Sequence, residues 1–444
     1  MWLVCSQTLR IQSDFRLSLG ICDIVISNVP RGVAVSSNLL IRDVSPEDLE
    51  WVKSSTPDGV SQNEFLRSVL EKARNQSPQR GLFSAALAPK VVNSRLPFKF
   101  IDLFAGIGGF RCGMTAVGGH CVFTSEWDKY AAATYRAWYG DENIYTGDIR
   151  DIDANSEIPD HDVLCAGFPC QPFSLAGVSK KNSLGRAHGF ADEKQGNLFF
   201  KILDIVDAKR PPVLFLENVK NLKGHDKGRT WKVIEDSIIE RDYVIYSKII
   251  DARSYVPQKR QRIFIVCFDR NVFGREDQIK FEFPKAPEKE GPKLRSILHT
   301  EPPDKKYMLS DKLWKYLVEY AAKHREKGNG FGYGLNTGDD VARTMSARYH
   351  KDGSEILISQ KGWKNPRRLT PHEARLLLGY DETYAELFGH NDGFPQVVSD
   401  TQAYRQCGNS VVPKIVEAIG QQIVEAMAQY FMRREVSLMK RQAG

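Results

Sequence analysis

The sequence predicts an α/β fold built on a largely parallel sheet, and three observations carry that prediction. The apolar runs FKFIDLF, HCVFTSE, DVLCAGF, PVLFLENV, YVIYSKII and RIFIVCF follow one another between Phe98 and Phe268, with helical or loop stretches between them. The first run ends in a glycine turn that opens into a helix, AGIGGF. Several runs end on a reactive or charged group, which is where open α/β sheets bind ligands.

Composition sets the outer limits. The 444 residues suffice for two or three domains, and a hydrophobic fraction of 42% is ordinary for a globular chain. A net charge of +7 suits a polyanionic partner without requiring one. The 8 cysteines show no CxxC pair and no metal-type spacing, which argues against a structural zinc site and for reduced thiols in a cytosol. No apolar run reaches the roughly 20 residues of a membrane helix. The stretch LSLGICDIVISNV is broken by Asp23, lacks a following cleavage site, and does not read as a signal peptide.

Residues 1–35 give no clear pattern and stay unassigned, either as a poorly ordered arm or as translation from a start upstream of the natural one. From Asn38, NLLIRDV reads as a strand. Ser45-Pro46-Glu47-Asp48 then reads as a helix start, and Ser61-Gln62-Asn63-Glu64 as a capping box before a helix with Phe65, Leu66, Val69, Leu70 and Ala73. This strand–helix–helix unit, 36–76, is too small to bury a core alone. It resembles the ribbon-helix-helix DNA-binding family, in which a ribbon from a dimer enters the major groove. On that reading Asn38, Leu40 and Arg42 face the DNA; a small docking appendage is the other reading. Residues 77–97, rich in Ser, Pro and Ala, are a linker.

The glycines Gly106, Gly108 and Gly109 let backbone approach a ligand. Glu126 ends the next strand about 20 residues on, the place of a ribose-binding acid. Asp148 follows the next apolar stretch, in TGDIR. A phosphate-cradling P-loop motif is absent, which favours an adenosyl ligand without phosphates. FAGIGGF resembles the S-adenosylmethionine loop of methyltransferases. That resemblance adds Phe104, Trp127, Ile149 and Pro169 to the cofactor set, with Trp127 against the adenine face.

At the chemical end, GFPCQPFS places Cys170 just past a strand, between Pro169 and Pro172, which stiffen the loop. Cys170 reads as a nucleophile, with a buried structural thiol as the alternative, the reading given to Cys112, Cys121, Cys165 and Cys267. Glu217 closes the apolar run VLFLENV, where burial raises a carboxyl pKa and prepares it to donate a proton; a helix cap or a structural ion pair is the alternative. Arg260 and Arg262 alternate in PQKRQRIFIV, placed to hold an anion or a base.

Together FAGIGGF, GFPCQPFS, ENV, QKRQR, RRLTPHEARLLLG and AYRQCGNSVVP resemble the DNA cytosine-5 methyltransferases, in the family's order, and NGFGYGL and RTMSARYHKDGSEILI resemble its Dcm-like branch. The resemblance implies a Rossmann-like S-adenosylmethionine-dependent methyltransferase domain at 98–272 and 367–432, interrupted by a target-recognition domain at 273–366 and followed by a tail at 433–444. It implies attack by Cys170 on carbon 6 of a flipped-out cytosine in double-stranded DNA, with Glu217 at ring nitrogen 3 and Arg262 steadying the base. By the same resemblance the Phe168 carbonyl reads the amino group, Gln171 and Ser174 lie near the DNA, and Asn409 and Ser410 complete the cofactor side. In RTMSARYH, Arg343, Thr344 and Arg348 are candidates to contact DNA. The Dcm-like features suggest a site such as CCWGG or CCGG and a functional link to a cognate restriction endonuclease. Cys407 departs from the family, standing where Dcm-like chains usually carry an aromatic, so slightly altered packing is expected there. An RNA cytosine methyltransferase and a DNA-binding regulator with a vestigial enzyme domain are the competing readings. The N-terminal segment is also expected to self-associate and to repress the protein's own promoter.

Overall fold

The computed structural model describes residues 98–140, 142–169, 198–301, 303–329 and 332–442, with four short strands in the first 41 residues. The chain divides into two compact units, Met1–Ser94 and Arg95–Gly444. In the first unit the strand expected in NLLIRDV is present at Leu39–Ile41, pairing antiparallel with Leu3–Cys5 of the same chain. Phe15–Ser18 and Asp23–Ile26 form a second antiparallel pair. Strands therefore occur within residues 1–35, where sequence reading assigned none. The two helices expected in 45–76 lie outside the described residues.

The second unit is organised by a seven-stranded sheet. Its strands are β1 (Phe98–Leu103), β2 (Gly119–Glu126), β3 (Ile144–Thr146), β4 (Val163–Gly167), β5 (Val213–Val219), β6 (Tyr243–Asp251) and β7 (Gln261–Asp269). Their spatial order is β6-β7-β5-β4-β1-β2-β3, and β7 alone runs against the rest. The chain leaves β1 toward β2 on one side and reaches β4 on the other. This reversal opens a crevice at the carboxyl ends of β1 and β4. The six runs read from sequence are all strands; β3, three residues long, was too short to stand out.

The central strands are apolar on both faces because both faces are covered. On one, Phe98, Phe100, Phe215 and Phe264 pack against α1 (Gly109–Ala116) and the long α8 (Pro413–Gln442). On the other, Ile101, Leu164, Leu216 and Ile265 meet α3 (Leu198–Lys209) and α4 (Arg229–Ile239) through Ile202, Val206, Ile234 and Ile238. Between β2 and β3 runs α2 (Lys129–Tyr139), capped by the Asp128 carboxylate, which accepts from Tyr130 N and Ala131 N. Val416, Ile419, Ile423 and Met427 of α8 fall at helical spacing and are buried, so this helix folds back on the sheet as the sequence implies. It also continues to Gln442, through residues read as a tail. A Cβ at Gly113 would stand 2.6 Å from Val416, so glycine lets α1 and α8 cross closely.

Between the sheet's last strand and α8 lie α5 (Asp311–Glu326), the two-residue parallel pair β8 (Leu335–Asn336) and β9 (Leu357–Ile358), α6 (Pro371–Leu377) and α7 (Asp400–Asn409). A buried ion pair fastens this segment to α6. Arg367 lies between Met308 and Ile358 by backbone bridges, and its guanidinium donates to both Glu373 carboxylate oxygens at 2.8 and 2.9 Å. Glu373 also accepts from Thr370 N, closing the capping box of α6, and from His299 N. Both charges are fully buried. Removing one partner strands the other in low dielectric. Glu373→Ala is therefore expected to cost about 3–5 kcal/mol in urea unfolding, and the double variant Arg367→Met/Glu373→Met should recover much of that loss.

Candidate active site

The loop after β1 forms one wall of the crevice. Phe104, Gly106 and Gly108 all take positive φ, at 57°, 57° and 78°, which swings the chain from strand into α1. The three glycines differ in what surrounds them. A Cβ at Gly108 would strike the Tyr139 ring at 2.4 Å, and one at Gly109 would strike Val411 at 2.4 Å, so both permit close packing. A Cβ at Gly106 would meet nothing within 4 Å. Gly106 thus lines open space. Its N–H donates to Glu126 Oε2 at 2.7 Å, while Glu126 Oε1 accepts from Asp128 N at 2.7 Å. Each carboxylate oxygen keeps a further lone pair for a ligand hydroxyl. Burial raises the Glu126 carboxyl pKa, opposed by these N–H groups. Trp127 beside it is 73% exposed.

The other predicted cofactor residues lie around this wall in different conditions. Asp148 caps the turn Ile149–Asp151 and pairs with Arg150, whose hydrogen bonds hold its carboxyl below the usual range. Ile149 is buried and Pro169 exposed. Asn409 is exposed at the end of α7. Ser410 is buried, its hydroxyl 2.5 Å from Tyr380 OH and 3.0 Å from the Val411 carbonyl.

The opposite wall holds the acid. In register Gly167 of β4 stands beside Glu217 of β5, and a Cβ at Gly167 would lie 3.5 Å from Glu217 Oε2. Glu217 Oε1 pairs with Arg262 Nε at 3.1 Å. Burial pushes the Glu217 carboxyl up, against the pull of Arg262 and then Arg260. The next residue, Asn218, was missed as a site residue although ENV was noted. Its buried Nδ2 donates to the Phe168 carbonyl at 2.9 Å, and Phe168 packs its ring on Phe199. The chain leading into Cys170 is thereby held to β5 from beside the acid. Cys170, Gln171 and Ser174 lie outside the described residues, as do Asn38 and Arg42; Leu40 lies in the strand Leu39–Ile41.

Arg260 does not share Arg262's position. It is 1% exposed and donates to three backbone carbonyls, Met345 O at 3.0 Å, Gly408 O at 2.9 Å and Ser410 O at 2.6 Å. Burial lowers its pKa to about 9, with Arg262 adding to the effect. Its geometry is that of a tie between segments. Among the candidate DNA residues, Arg343 is exposed and donates to Gly332 O at 3.3 Å, Thr344 donates to Lys259 O at 2.6 Å, and Arg348 is exposed. Tyr349, in the same stretch, is core: its hydroxyl donates to Ile356 O and accepts from Leu369 N. Cys407 is buried and lines a small cavity with Trp138 and Arg375.

The model of the C-5 cytosine-specific DNA methylase family matches residues 98–425. The chain belongs to that family. It is 43% identical over 417 residues to the DNA-cytosine methyltransferase of Escherichia coli K12, covering 82% of this chain and 87% of that one. It is 47% identical over 335 residues to the Type II methyltransferase M.NlaX of Neisseria lactamica, covering 74% and 97%. Among solved structures, the S. pombe Dnmt2 methyltransferase matches with a TM-score of 0.56 at 16% identity over 75% of this chain and 98% of that one, a likeness of fold. The family implies a cofactor of the S-adenosylmethionine type, and the open cradle at Gly106 beside Glu126 and Trp127 fits an adenosyl group.

Behind the loop lies a carboxyl that sequence reading passed over. Asp102 of β1 is fully buried, and the charge and backbone N–H of Arg111 offset only part of its desolvation. Desolvation raises its pKa from 3.8 to about 8, against the attraction of Arg111. The folded protein therefore holds a proton that the unfolded chain releases, and stability falls as pH rises between about 4 and 8. Asp102→Asn is expected to raise the urea midpoint at pH about 8, with the gain vanishing toward pH about 4. An unchanged pH profile would show that Asp102 is charged in the fold.

Proposed function

We propose that this protein methylates carbon 5 of a cytosine flipped out of a specific double-stranded DNA sequence, through a covalent adduct at Cys170, as the modification enzyme of a restriction–modification system. It acts in the bacterial cytoplasm on the nucleoid. The observation that carries the reading is the pairing of Glu217 with Arg262 beside Gly167, at the strand end that leads through the anchored Phe168 carbonyl to Cys170. This edge is shared with the Gly106–Glu126 wall.

The chemistry follows from those groups. A cytosine leaving the duplex costs a few kcal/mol in stacking and pairing. The Cys170 thiolate forms a bond to carbon 6 while Glu217, whose burial favours the protonated form, gives a proton to ring nitrogen 3. The ring electrons then reside on carbon 5 as an enamine, without net negative charge. Bound S-adenosylmethionine supplies the methyl group that carbon 5 takes up. A base then removes the carbon 5 proton, the carbon–sulfur bond breaks, Cys170 leaves as the thiolate and the nitrogen 3 proton returns to Glu217. Arg262 holds the Glu217 carboxyl in place by its ion pair and, by its position, the base edge beside it. The Phe168 carbonyl, fixed by Asn218, offers its second lone pair to the exocyclic amino group.

Bisulfite sequencing of DNA from cells expressing the protein should reveal new 5-methylcytosine at one sequence, and finding none sinks the reading. Cys170→Ala should erase the signal, while Cys165→Ala, in the core of β4, should leave it. Glu217→Gln should lower the methylation rate by about 10²–10⁴-fold. The wild-type rate should decline on the alkaline side as the Glu217 proton is lost.

A further inference from the structure

The strand that supplies the acid also fixes a carbonyl beside it. Asn218 of β5 is buried, and its amide is engaged at both ends. Oδ1 accepts from Val219 N at 2.8 Å, and Nδ2 donates to the Phe168 carbonyl at 2.9 Å. The two bonds together decide which way round the amide stands. Phe168 is also held by its side chain, which is buried with its ring centroid 5.6 Å from that of Phe199. Its carbonyl therefore has a set direction, with one lone pair given to Asn218 and one left over.

Cytosine and uracil differ along the edge that meets these groups. Cytosine has an accepting nitrogen 3 and an amino group on carbon 4. Uracil has an N–H at position 3 and an oxygen on carbon 4. Glu217 can serve either base. Protonated, it donates to nitrogen 3 of cytosine; ionised, it accepts the N–H of uracil. Burial favours the first form and Arg262, 3.1 Å away, favours the second. A peptide carbonyl has no second form and only accepts. Against cytosine it takes an amino N–H. Against uracil two oxygens oppose each other, and the reaction sharpens the conflict. When the Cys170 sulfur bonds to carbon 6 of uracil, no proton reaches nitrogen 3. The electron pair displaced from the carbon 5–carbon 6 double bond then rests on the carbon 4 oxygen as an enolate. That repulsion selects against uracil only while the carbonyl stays in place, since a peptide plane free to tilt relieves it.

We propose that Asn218 is a positioning residue for base selection: by pinning the Phe168 carbonyl, it makes the site reject uracil in favour of cytosine. The proposal rests on the methyltransferase reading above. Discrimination needs a repulsive element as well as an attractive one, and a rigid acceptor supplies it where an adaptable carboxyl does not.

The test measures transfer of a tritiated methyl group by the full-length protein to two duplexes carrying the site mapped by bisulfite sequencing. One has dC as the target base and the other dU, whose methylation yields thymine. The variants are Asn218→Ala and Asn218→Leu. Leucine matches asparagine in shape, so the second variant keeps the strand packed where the first leaves a gap. Wild type should favour dC by about 10²-fold or more in kcat/KM. Each variant should lose about tenfold of that preference, with the rate on dU falling less than the rate on dC. The easier unpairing of dU from guanine acts on wild type and variants alike and cancels in the comparison. Equal losses on both duplexes, with the dC-to-dU ratio unchanged, make Asn218 a packing residue and overturn the proposal. So does a wild type that takes dU as readily as dC. If wild type methylates neither duplex, the methyltransferase reading itself falls, a failure distinct from these.

Discussion

Everything at the reacting edge depends on the burial of the Arg260 guanidinium against three backbone carbonyls. Those carbonyls belong to Met345, Gly408 and Ser410, 85, 148 and 150 residues further along the chain. A cation taken out of water is costly unless its donors are met. Here the partners come only when the recognition segment and the returning segment have both closed on β7. The cost of an unmet Arg260 makes that closure all-or-none. Its partner in this role is the Arg367–Glu373 pair, which fastens the inserted segment to the helix that begins the return.

Closure decides what the two walls can do. Ser410, whose carbonyl Arg260 holds, also reaches Tyr380, and Val411 beside it packs on Gly109 at the start of α1. The cofactor loop is therefore braced by residues some 300 positions away in sequence, which explains why Gly109 must lack a side chain. On the other wall, β5 supplies two adjacent groups with opposite tasks. Glu217 turns into the crevice toward Arg262, and Asn218 turns into the core to hold the Phe168 carbonyl. Alternation along one strand separates chemistry from support, and a one-residue slip of β5 would exchange them.

Much of this was legible in the sequence because its physics is local. Apolar runs gave the sheet, since strands covered on both faces must be apolar throughout. Glycines at positive φ marked the loop, and Glu217 stood out because an acid ending an apolar strand needs a reason. What was not legible depends on distant partners. Nothing in QKRQR separates Arg260, a tie between segments, from Arg262, which pairs with the acid. Nothing in FIDLF shows that Asp102 lies fully buried beneath the loop. Gly106, Gly108 and Gly109 look alike in AGIGGF, yet only the first borders open space, because Tyr139 and Val411 reach the other two. Nothing in RTMSARYH separates the exposed Arg343 and Arg348 from Tyr349, which is core, fixed by Ile356 and Leu369.

The interruption of the catalytic domain then has a physical consequence. A recognition segment appended at one end could move without disturbing the sheet. Inserted between β7 and α8, and tied by Arg260 and Arg367, it exchanges backbone hydrogen bonds through Ala342 with Pro257 and Lys259, just ahead of the strand that pairs with the acid's. Positioning within about 0.5 Å is what makes proton transfer and methyl transfer to a flipped base effective. On the proposed function, a base held by this segment would be registered against Glu217 and the Gly106 cradle by the same few contacts, setting sequence recognition and chemistry in one frame.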